Sequence, residues 1–72
     1  MSNIGISIIL PTLNEEKNLS KIIPEITSKF EKNNLDYEIV VVDDNSSDNT
    51  DLIMNKFIEE NSNIKFVKRK NN

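Results

Sequence analysis

The sequence predicts an α/β fold: a three-stranded parallel sheet built as β-α-β-α-β, with spatial strand order 3-2-1. Three observations carry that prediction. Ile39-Val40-Val41-Val42 is an uninterrupted β-branched run ending in Asp43-Asp44, as expected of a strand buried on both faces of a parallel sheet. Leu19, Ile22, Ile23, Ile26 and Phe30 recur at helical spacing, giving one apolar stripe. Strand-like and helix-like segments then alternate along the chain, and right-handed crossovers arrange such units side by side.

Ile6 to Leu10 forms the first strand, and Pro11, which cannot donate to a ladder, is expected to close it. Thr12, Leu13 and Asn14 make a loop, with Asn14 a candidate N-cap. Glu15 and Glu16 then meet the positive end of the helix dipole. The first helix is placed over 15–32, bent at Pro24, which removes one intrahelical bond. Lys32-Asn33-Asn34 ends it, Asn being suited to a left-handed cap. The second strand spans Tyr37 to Asp43. Asp48 is expected to cap the second helix, 49–61, with Asp51 in a carboxylate variant of the capping box. That helix should turn Ile53, Phe57 and Ile58 inward, with Leu52 and Met54 flanking. Ile64 to Lys68 is the third strand, alternating as an edge strand does.

Composition narrows the function. The chain has 72 residues, no Cys and no His, so it forms at most one small domain without disulfides or Cys/His zinc sites. Its net charge of −3, with 29% charged residues, is no nucleic-acid footprint; the basic cluster Lys68-Arg69-Lys70 reads as solvated. No stretch approaches the roughly 18 apolar residues of a membrane span. Met1 to Leu10 lacks the basic start of a signal peptide, so a cytoplasmic location is expected. Both predicted helices fall on one sheet face, while strands one and two are apolar on both. The second face therefore needs a cover, from further chain or a second copy.

In parallel sheets ligands bind beyond the carboxyl ends of the strands. There the loop Pro11 to Glu15 lies beside the loop Asp43 to Asp48. The edge is acidic and lacks glycine, which removes both the dinucleotide fingerprint and the P-loop. Carboxylates suit instead the base N–H groups and ribose hydroxyls of a nucleoside, or a divalent cation. Asp44, in step with Val40 and Val42 on one face, is the favoured ligand. Asp43 reads as capping or solvated, with a direct ligand role the lesser alternative, and Ser47 and Asp48 read as caps. An EF-hand fails: position six from Asp43 is Asp48 and position twelve is Met54, where Gly and Glu are needed. A response-regulator receiver fails because the paired Asp follows the second strand.

Ile6-Ser7-Ile8-Ile9-Leu10-Pro11-Thr12-Leu13-Asn14-Glu15-Glu16-Lys17-Asn18-Leu19, followed by Tyr37 to Thr50, resembles the start of a family 2 glycosyltransferase. Within that family it is most similar to the polyprenol-phosphate (dolichol-phosphate) mannosyl- and glucosyltransferases. The resemblance implies the N-terminal, nucleotide-binding part of a Rossmann-like GT-A fold, residues 1–72 being a partial domain. It implies a nucleotide-diphosphate sugar donor of the GDP-mannose or UDP-glucose type, held by Pro11, Leu13, Glu15, Val42 and Asp44. Polyprenyl phosphate is the implied acceptor, and Mg or Mn is implied only for a full-length enzyme, for which the resemblance also allows membrane association. Leu13 stands where an aromatic is frequent, and Asn49 where Gly is common. The family's Asp-x-Asp metal motif and catalytic base lie beyond the third strand, and no Asp follows Asp51. The 72 residues alone are expected to lack transferase activity. The rival expectation is a non-catalytic nucleotide-binding module that self-associates through its open sheet face.

Overall fold

A computed structural model describes residues 5–69. Met1–Ile4 and Lys70, the last member of the basic cluster, lie outside the described residues. The elements run β1 (Ile6–Thr12), α1 (Glu16–Lys32), β2 (Tyr37–Asp43), α2 (Thr50–Glu60) and β3 (Ile64–Lys68). The three strands form one parallel sheet with β2 central, as the sequence predicts.

Pro11 does not end β1; the strand continues through Thr12. Thr12 accepts from the Asp44 amide and Ile6 donates to Asp36, so even-numbered β1 residues turn their polar groups toward β2. Pro11 therefore points its missing donor at the open sheet edge, where proline costs no ladder bond. The helix α1 runs unbroken through Pro24, as one continuous helix. Asn34 ends the segment at φ 55°, the left-handed conformation that Asn tolerates.

The core lies between one sheet face and the two helices. Leu19 and Ile23 of α1, Tyr37, Ile39 and Val41 of β2, Met54 of α2 and Ile64 of β3 are buried together. The phase of α2 differs from expectation. Met54 and Thr50 are its buried residues, Phe57 packs against the core, and Ile58 and Leu52 are exposed. Thr50, Met54 and Phe57 follow the 3.6-residue period, and the polar Thr50 is what hides that stripe in the sequence.

The other sheet face is bare, with Ile9 56% and Val67 48% exposed. It is less apolar than expected. Near the amino ends of the strands, Ser7 donates to Glu38 and Lys65 Nζ bonds Glu38 Oε1 at 2.8 Å. The apolar part is the upper half: Ile9, Val40, Val42 and Val67. Among the described residues no helix is long and apolar enough to cross a membrane.

Candidate functional site

The alternation of β2 sends two neighbouring carboxylates to opposite faces. Asp43 points to the helix side and is fully buried. It accepts the Ser46 amide at 2.7 Å, the Ser46 hydroxyl, and the Thr12 hydroxyl at 3.3 Å. Burial acts to raise its pKa, but the Ser46 and Thr12 hydrogen bonds, with Lys68 nearby, outweigh it and hold the carboxyl below its ordinary value. Asp43 is thus an internal brace of the loop that follows it.

Asp44 faces the other way, with Val42. Its side chain is 43% exposed, and Arg69 Nε stands 3.6 Å from Oδ1. That oxygen is shielded from solvent and has no hydrogen-bond partner among the described residues. A carboxylate at a strand end, spoken for only by a loose cation contact, retains acceptor capacity for a ligand.

The two loops do meet. Asn14 adopts φ 54° and does not cap α1. Its amide donates to Ser46 Oγ at 2.8 Å, and its Oδ1 accepts the Ser47 amide at 2.8 Å and the Asp48 amide at 3.2 Å. Asp48 caps both helices: Oδ2 accepts from the Glu16 amide at 3.3 Å and Oδ1 from the Thr50 amide at 3.0 Å. Its Thr50 bonds, against some desolvation, hold the Asp48 carboxyl below its ordinary value. Glu16 returns the contact, Oε1 accepting from the Asn49 amide at 3.2 Å. The start of α1 is therefore capped from the loop before α2, and the start of α2 by its own loop and by Glu16 of α1. The expected capping box is absent, because Asp51 binds Lys68 Nζ at 2.7 Å instead.

The five residues singled out by the resemblance fall into two groups. Pro11 and Val42 are register partners, and Asp44 follows on the same open face. Glu15 lies on the other side of loop one, bonded to Asn18, and shares with Pro11 an open groove of about 510 Å³ along β1 and α1. Leu13 is 54% exposed and lines neither that groove nor the one beside Asp48. The residues missed by sequence reasoning are Asn14, Ser46 and Thr12, whose polar groups bridge the loops. Short polar side chains at two neighbouring loops were the available sign, but their partners are more than thirty residues away. No group of three or more Asp or Glu among the described residues is placed to share a metal ion; the residues present do not fit a metal site, and Asp44 faces Arg69 rather than a second carboxylate.

Residues 7–72 match the family model described as Glycosyl transferase family 2. The chain is 36% identical, over 93% of its length, to the dolichyl-phosphate beta-glucosyltransferase ALG5D of Trichomonas vaginalis, spanning 22% of that protein. It is 38% identical over 94% of its length to a chondroitin synthase of Pasteurella multocida, of which it spans 7%. It is 47% identical over 62% of its length to a dolichol-phosphate mannosyltransferase of Pyrococcus furiosus, of which it spans 12%. The chain thus spans less than a quarter of the length of these relatives.

Proposed function

The chain belongs to glycosyl transferase family 2, and we propose that it supplies the nucleoside-holding part of a transferase that uses a nucleotide-diphosphate sugar. The observation that carries this reading is Asp44. Its carboxylate sits just past the carboxyl end of the central strand, the side chain 43% exposed, with Oδ1 shielded beside Arg69 and neither oxygen hydrogen-bonded among the described residues. The role we assign it is to accept N–H donors of the base, a charge-assisted bond about twice as strong as a neutral one. Pro11 and Val42 offer the apolar floor beside it; Leu13 and Glu15 come from loop one, Glu15 from the neighbouring groove along α1, and suit base edge and ribose hydroxyls. No diphosphate cradle is assigned, since this rim has neither glycine loop nor basic cluster beyond Lys68-Arg69.

Donors of the GDP-mannose or UDP-glucose type, and a polyprenyl phosphate acceptor, are the finer reading. It is favoured by the two relatives named for dolichyl or dolichol phosphate. Hexose transfer itself is assigned to no residue of this chain. A second reading, a self-associating binding module, is favoured by the bare Ile9 and Val67; sedimentation at several concentrations separates it, a stable dimer supporting it. Calorimetric titration with GDP and UDP tests the first. Saturable binding that weakens about tenfold in Asp44→Asn is expected, since the amide oxygen still accepts but loses the charge, a difference of about 1–1.5 kcal/mol between a charged and a neutral bond. Equal affinity in the variant contradicts the role given to Asp44.

A further inference from the structure

The rim that holds the nucleoside, in the reading above on which this inference rests, is made by two loops more than thirty residues apart in sequence. Their relative placement is set by few hydrogen bonds; Asn14 makes half of them, and the rest run from Thr12 and Glu16. We propose that Asn14 is a positioning residue, which sets the separation of Glu15 from Asp44 without touching the ligand.

Three observations converge on it. Its backbone is left-handed, φ 54°, a conformation that Asn enters more readily than most residues; this turn fixes the directions of its neighbours Leu13 and Glu15. Its Oδ1 gathers two loop-two amides, those of Ser47 and Asp48, which β-sheet and helix leave unpaired. Its own amide bonds the Ser46 hydroxyl, which in turn donates to Asp43. That relay reaches the residue adjoining Asp44. The other ties lie behind the tips: the Asp44 amide to the Thr12 carbonyl oxygen at 2.9 Å and the Thr12 hydroxyl to Asp43 at 3.3 Å hold the strand ends together, and Glu16 and Asp48 join the two helix starts. The side chain of Asn14 is the link between the tips.

Two variants separate the parts of this role. Asn14→Gly keeps access to positive φ and removes the acceptor. Asn14→Asp keeps both, since Asp tolerates the same region and offers a carboxylate oxygen to the same amides. Ile26→Val, on the core side of α1 and away from the rim, controls for a general loss of stability. Amide hydrogen exchange and titration with GDP and UDP are measured on the whole chain.

The inference predicts that Asn14→Gly loses exchange protection at Ser47 and Asp48 while Ile39 and Val41 keep theirs. It also predicts affinity weakened about tenfold, because apparent affinity falls with the fraction of molecules whose rim is correctly set. Asn14→Asp restores protection and brings affinity to within about twofold of the original; Ile26→Val leaves affinity unchanged. Unaltered Ser47 and Asp48 protection in Asn14→Gly overturns the inference, with or without nucleotide. So does unaltered affinity in that variant, or a loss that Asn14→Asp fails to rescue. Failure of the original chain to bind either nucleotide sinks the nucleoside reading, and the exchange result then still decides whether Asn14 ties the loops.

Discussion

Asp43 and Asp44 are adjacent in the chain and belong to different regions of the molecule. Asp43 lies on the helix-covered face, fully buried, with both oxygens engaged by Ser46 and Thr12. Asp44 lies on the bare face, its side chain 43% exposed, beside one arginine at 3.6 Å. The difference follows from the two-residue period of a strand, and it divides the labour. On the covered face a carboxylate serves the fold. On the bare face the same chemical group takes no part in bracing the loop and meets only Arg69.

The comparison is sharpest where packing is densest. Met54→Ala, at the centre of the covered side, removes a fully buried side chain at a cost of about 2–5 kcal/mol. Domains of this size have total stabilities of about 4–11 kcal/mol, so far-UV circular dichroism should show a chain largely unfolded or melting far earlier. Asp43→Ala comes next: it leaves the buried Ser46 amide and hydroxyl without their acceptor, costing about 1–3 kcal/mol in chemical denaturation. Full stability in Asp43→Ala would erase the distinction between the two aspartates.

Acid probes the same carboxyl without mutation. Its folded pKa lies below the ordinary 3.8, so the unfolded chain binds the proton more readily. The stabilisation is complete above that ordinary value and is lost as pH falls through the lower, folded one. The original chain should therefore lose stability below about pH 4 more steeply than Asp43→Ala, as followed by urea midpoints across pH. Smallest of all is the bare face. Val67→Thr should shift the unfolding free energy by less than about 0.5 kcal/mol, and Lys65→Ala, which breaks an exposed pair with Glu38, by less than about 1 kcal/mol. A large loss from Val67→Thr would mean that this face is covered in solution.

What could be read from the letters divides along similar lines. Strand β2 was legible to the residue, because its β-branched run and the two aspartates that end it are local signals. The parallel order followed from connectivity alone. Pro11 was misplaced because a proline's cost depends on which way its nitrogen faces, and only the edge position of β1 makes it harmless. The inward face of α2 was misjudged because Thr50 occupies a buried place on the stripe, where hydrophobicity gives no hint of it. Asn14 was read as a cap for its own helix. In three dimensions its oxygen is nearer to Ser47 and Asp48, and no local pattern encodes a partner on another loop. Asp48 was legible as a cap, but not as the cap of two helices. Of the candidate site, the convergence of the loops was foreseen; the division of its residues between the Asp44 face and the Glu15 groove was not.

The central claim is that the open face at the end of β2 receives a nucleoside. The most direct measurement is a map of amide chemical shifts as GDP or UDP is added to the chain. The account predicts saturable changes centred on Pro11's neighbours, Leu13, Val42 and Asp44, needing about tenfold more nucleotide in Asp44→Asn, while the signals of Ile39 and Val41 stay in place. Saturable changes confined to the helix side, or shifts that saturate at the same nucleotide concentration in Asp44→Asn, would contradict it.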